Sequence, residues 1–132
     1  MSSNLVPEDK FDIASVYALK KAKPIEIIPI SRSLLEWIAD INWPVAQLLV
    51  EVLPIYHREL LPEIKYVLSD RVNDSIWKYS ILNYLVSNFP KETILLLEKE
   101  LSELTKLNPR DEDESDVVEI SSRLLNQILS YK

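Results

Sequence analysis

Not one glycine occurs among the 132 residues, where average usage of about 7% would supply roughly nine. That absence removes the residue on which left-handed turns and tight β-hairpins depend. Walker and dinucleotide-binding fingerprints are missing outright, because their backbone amides approach a phosphate only where no side chain intervenes. Eight prolines remain as punctuation. The chain is expected to turn on Asn, Asp and Pro, between helices.

Apolar periodicity predicts seven helical segments. The first covers about residues 8–22, with Phe11, Val16 and Leu19 toward one side, and stops before Pro24. A second, about 27–39, repeats Ile30, Leu34, Trp37, Ile38 and Ile41 at three and four. Pro44 starts a third, since a first-turn proline lacks an amide that would have no partner there, and Pro54 ends or kinks it. A fourth runs from about 60 to 69. The fifth begins near Asp74, a plausible N-cap, and buries Trp77, Ile81, Leu82 and Leu85. The sixth starts at Pro90 and continues unbroken to about 107, where Asn108 and Pro109 break it. The seventh, about 115–131, carries Val117, Ile120, Leu124 and Ile128.

Short helices with short connections lie antiparallel to their neighbours. An offset of 34 pairs Asp40 with Asp74, Trp43 with Trp77, Leu48 with Leu82 and Val52 with Val86, as in stacked helical hairpins. The expected fold is therefore all-α: a single domain over residues 1–132, a short right-handed α-α superhelix of antiparallel pairs (HEAT/ARM-like) with six to seven helices. Its expected core is Trp37, Trp43, Leu48, Leu49, Val52, Leu68, Trp77, Ile81, Leu85, Leu97, Leu101, Leu124 and Ile128.

Residue usage narrows the chemistry. With no cysteine there is no disulfide, thiolate nucleophile or Cys-ligated metal. No apolar run approaches the roughly 20 residues that span a bilayer, and MSSNLVPEDK lacks a signal-peptide pattern, so no membrane role and a cytoplasmic location are expected. The net charge of -6 sits in one segment: residues 98–119 hold nine acids and three bases, and the remainder holds twelve of each. That distribution weighs against nucleic acid, since the only basic cluster is the short KKAKP at 20–24.

Asp40, Trp43, Val45, Ala46 and Leu49 resemble the second-helix entry of a HEAT-type repeat. LLEWIADINWPVAQ (34–47) with the later NDSIWKYSILNYL (73–85) also resembles a family of small bacterial all-helical proteins of unknown function, across residues 7–131. The resemblance implies a fold, and accessory or immunity-type binding rather than an established activity.

Several residues invite chemistry. In DINWP the Asp40 and Asn42 side chains are expected to accept amide hydrogen bonds at a helix junction, with Trp43 packed across it; the competing reading puts Asp40, Trp43 and Trp77 on a ligand surface. His57, the one histidine, is expected to be a solvated loop residue. Glu36 and Asp40, four apart, share a face if helical and would suit a carboxylate pair. NPRDEDESD (108–116) alternates acids like a calcium loop but has Asp116 and Ser122 where the template needs Gly and Glu. Asp116 with Glu119 has capping-box spacing. Trp77, Tyr79 and Tyr84 around Lys78 could stack bases, although their helical spacing suits a core.

The function these features favour is a non-catalytic protein–protein interaction module without cofactor or metal, and no enzyme activity is expected. Its surface is expected to include Asp40, Asn42, Trp43, Asp74, Trp77 and Lys78. An acidic loop, Asp111, Glu112, Asp113 and Glu114, would meet a basic protein partner. The alternative is a nucleic-acid base-handling protein with a DNA-glycosylase-like HEAT fold.

Overall fold

The computed structural model describes residues 5–131, with side chains through Ser130. Residues 1–4 of the amino-terminal stretch considered above lie outside the described residues. The described residues are helical, without a strand. They comprise α1 (Ile13–Leu19), α2 (Pro24–Ile27), α3 (Ser31–Glu36), α4 (Pro44–Val52), α5 (Leu61–Leu68), α6 (Ser75–Ser80), α7 (Lys91–Leu95), α8 (Glu98–Thr105) and α9 (Glu112–Tyr131). A 3-10 turn at Ile28–Ile30 joins α2 and α3 into one continuous run, which a second at Trp37–Ala39 extends, leaving eight helical bodies among the described residues. No residue among them has a positive φ, in keeping with a chain that lacks glycine.

Local chemistry sets most boundaries. Asp12 caps α1 by accepting from the Ser15 amide and hydroxyl, so the first helix starts later than its apolar pattern suggests. Pro29 has no amide, and the backbone tightens to 3-10 there. Asp74 accepts from the Trp77 amide at 3.0 Å and starts α6, as expected. The unbroken sixth helix is corrected: Leu96 and Leu97 donate back three residues, to Thr93 and Ile94, dividing α7 from α8. Ile94 and Leu97 are both buried across that turn while Leu96 faces solvent.

After α6 the helix widens to a π turn at Ile81–Leu85, and the Val86 amide bonds the Ile81 carbonyl. The extra residue in that turn lets Ile81, Leu82, Leu85 and Val86 all point inward.

The helices form two layers. α3, α5 and α8 are successive neighbours in one; α1, α4, the α6 segment and α9 are neighbours in the other. Directions follow from paired contacts. Arg123 donates to Asn83 at 3.2 Å, while Asp113 and Asp116 near the start of α9 lie against Ser75 at the start of α6, so α6 and α9 run parallel. The Val45 amide bonds the Lys10 carbonyl, and Tyr17 and Lys20 share a hollow with Glu51 and Ile55, so α1 and α4 run parallel as well.

One apolar core runs through both layers, from Leu19, Leu34, Leu35 and Ile38 through Leu53, Leu60 and Leu82 to Leu101, Leu124 and Ile128. Trp37, Trp43, Leu48 and Trp77 were expected inside it and are instead half-buried, packed against its edge. An indole carries a polar edge that must find an acceptor. Trp37 Nε1 donates to the Pro7 carbonyl at 3.1 Å and Trp77 Nε1 to the Leu35 carbonyl at 2.8 Å, both at junctions.

Candidate functional site

The expected site residues divide into two groups that do not meet. In the first, Asp40 has extended backbone and accepts the Asn42 amide through Oδ1 at 3.0 Å. It thus shapes the turn ahead of α4 and does not cap the helix. Trp43 is the N-cap residue, without a side-chain cap bond. The amide of Val45 is met instead by the Lys10 carbonyl at 3.2 Å. The expected capping role of Asp40 and Asn42 is therefore corrected, because Pro44 removes one amide and the segment before α1 supplies the acceptor for the next. Trp43 does pack across the junction, edge-on to Trp37 with ring centroids 5.2 Å apart. The two indoles line a shallow depression with Val6, Ser33 and Glu36. Glu36 ends α3 and Asp40 has left the helix, so the shared helical face imagined for these carboxylates does not form.

The second group converges. Lys78, on α6, and Glu114, in the first turn of α9, line a cleft of about 450 Å³ with Asp70, Asn73, Asn108 and Arg110. Its apolar floor is Val72, Leu107 and Val117. A second cleft, also about 450 Å³, shares Asp70, Lys78 and Leu107 and extends along α5 and α8 past Lys65, Lys99, Glu100 and Glu103. Lys78, with Asp70 and Leu107, thus borders both. Its ammonium donates to the Ser69 carbonyl at 3.0 Å. Burial pushes its pKa below the ordinary lysine range, partly offset by Asp70, Asp74 and Glu114.

The acidic segment proves to be mostly helix. α9 begins at Glu112, so Glu112, Asp113, Glu114 and Asp116 lie on its opening turns and only Asp111 precedes it. Asp111 Oδ1 accepts from the Glu114 amide at 2.8 Å, and Glu114 Oε1 accepts from the Arg110 amide at 2.9 Å. This reciprocal capping stands five residues ahead of the Asp116–Glu119 spacing that suggested it. Glu114 also takes a salt bridge from Arg110 at 2.8 Å; that hydrogen-bonded guanidinium, then the Arg110 amide, hold its carboxyl below the usual glutamate range. Glu112, Asp113 and Asp116 stay exposed. Among the described residues no group of three or more His, Cys, Asp and Glu could hold a metal ion.

Sequence reasoning missed Asp70, Asn73, Asn108 and Arg110, which lie in connections whose course depends on how α5 and α8 end. The cluster of Asn, Asp and Arg flanking Pro109 was the one signal available. His57 is corrected too: it is half-buried, its Nδ1 lies 2.7 Å from the Thr93 hydroxyl, and its ring sits 5.9 Å from Phe89. Tyr79 and Tyr84 pack edge-on with centroids 6.2 Å apart. With the Trp77 indole committed to Leu35, this aromatic set is tied into helix packing.

No helix among the described residues is long and apolar enough to cross a membrane. No curated protein matches the chain. A family described as a domain of unknown function, DUF5071, matches residues 5–125, which hold both Trp-containing stretches, the paired clefts and the start of α9. The chain belongs to that family of domains of unknown function, DUF5071.

Proposed function

We propose that the protein is a non-catalytic protein–protein interaction module, built as a HEAT-type stack of helical hairpins and working in the cytoplasm on a basic protein partner. The observation that carries this reading is the juxtaposition of two parallel helix starts, α6 and α9. It gathers Asp74, Asp111, Glu112, Asp113 and Asp116 beside the Lys78 cleft. Capping α9 uses Asp111 and Glu114. Glu112, Asp113 and Asp116 are surplus to that task and repel one another, which suits a surface that steers a cationic partner by raising its association rate. The parallel pairs α1 with α4 and α6 with α9 fit the way equivalent helices of successive HEAT-type hairpins stack.

The test keeps the cap intact. In Glu112→Gln, Asp113→Asn, Asp116→Asn the helix content should be unchanged. Pull-down from the source cell at low salt should recover a basic protein with the unaltered chain and much less with the variant. Purified, that pair should associate on the order of tenfold more slowly in the variant, with the gap closing as salt rises. Equal recovery of the same proteins by both forms would refute the proposal. Tight, steeply salt-dependent binding of DNA would favour the base-handling alternative instead.

A further inference from the structure

The second layer is α1, α4, α6 and α9, and its two end members differ in character. α9 presents Glu112, Asp113, Asp116 and Glu119 to solvent. α1 (IASVYAL) has no charged residue. Its inner stripe, Ser15, Val16 and Leu19, packs onto α4. Its outer stripe, Ile13, Ala14, Tyr17 and Ala18, is exposed, with Ile13 at 42% and Tyr17 at 51%. A helix apolar on every side is ordinarily buried on every side. Phe11 ahead of α1 and Ile25 beyond it are 66% and 73% exposed, and Ile55, across a hollow shared with Tyr17, is 59% exposed.

We propose that this face is the interface of a two-fold homodimer, in which α1 packs antiparallel on α1 of a second copy. Two features select a second copy as the occupant. The first is charge. Glu8 and Asp9 lie exposed just before α1, with Lys10 beside them over the Phe11 ring, and Lys20, over the Tyr17 ring, and Lys21 lie exposed just after it. An antiparallel pairing sets the acids of each copy against the lysines of the other, which is the self-complementarity that a two-fold interface requires. Ala14 and Ala18 let the two backbones approach closely at the crossing. The second is area. A large side chain carries roughly 150–250 Å² of surface, so Phe11, Ile13, Tyr17 and Ile55 at these exposures leave several hundred Å² toward the ~800 Å² per partner of a specific interface. The surface is remote in sequence from the acidic start of α9, so the dimer stands independently of the partner proposed above.

Sedimentation of the purified chain from low micromolar to submillimolar concentration should show a monomer–dimer equilibrium. Ala18→Glu places a charge on an exposed position at the crossing and should abolish the dimer with circular dichroism unchanged. Lys21→Glu and Glu8→Lys should each weaken association about tenfold, and the double exchange should recover most of it, since the paired signs are restored. A monomer throughout the concentration range, a dimer indifferent to Ala18→Glu, or a double exchange no better than the single changes would each overturn the proposal.

Discussion

At the residue scale, the polar tips of large side chains decide where those side chains sit. The Tyr56 hydroxyl is buried and donates toward the Leu19 and Ala22 carbonyls, the latter at 2.7 Å, tying the turn after α4 to the end of α1. Tyr56→Phe strands the Ala22 carbonyl, while the Leu19 carbonyl keeps the Ala22 amide at 3.2 Å, and should cost about 1–3 kcal/mol in urea unfolding. Trp43 is half-buried, so Trp43→Ala should cost about 1.5–2.5 kcal/mol, below the ~3–5 of a fully buried aromatic. A loss as large as the full-burial value would mean the indole is covered by more than Trp37 and the core edge. Asp74 was legible as a cap because its bond to the Trp77 amide is local. Asp40 was misread from the same spacing, since the acceptor that serves α4 comes from Lys10.

At the element scale, α9 owes its start to a local network whose ionisation is predictable in sign. The folded-state carboxyl of Glu114 lies below its ordinary range, chiefly through Arg110. Its contribution is therefore present above the unfolded value and is lost as pH falls through the folded one. Urea midpoints of the natural chain and Glu114→Gln should differ near neutral pH and converge in acid. Asp111→Ala removes the cap itself and should cost about 0.5–2 kcal/mol at neutral pH. Helix content was readable from the three-and-four spacing except at Pro24–Ile27, which falls between two expected helices. The break between α7 and α8 was not, because Ile94, Leu95, Leu96 and Leu97 are all helix-compatible and no capping residue or proline marks the turn.

At the scale of the whole molecule, a single apolar cluster joins the first helix to the last. Leu19→Ala at one end and Leu124→Ala at the other should each cost about 2–5 kcal/mol and shift one common unfolding transition. Two resolved transitions would show that the stacked hairpins melt separately, as longer repeat arrays do. The same stacking makes the clefts: Lys78 of α6 meets Glu114 of α9 only because parallel neighbours in one layer place their starts side by side. That also explains how much of the candidate site was legible. Lys78, Asp74 and the acidic run each stood out by type, whereas Asp70 and Arg110 are ordinary loop charges until the fold brings them to the same cleft.

What the amino-acid sequence determined by itself is what short-range physics controls. The missing glycines, the prolines at 24, 44 and 90, the Asp74 cap and the helical spacing of Ile, Leu and Val settle the helical class, the order of helices and most of their ends. Each depends on residues within a turn or two of one another. The tertiary structure decided the rest: the half-burial of the three tryptophans, the bond from Tyr56 to a carbonyl 37 residues away, the paired clefts around Lys78 and the uncovered outer face of α1. An apolar stripe specifies that a face seeks cover, and only the packing of distant helices determines which stripes receive it.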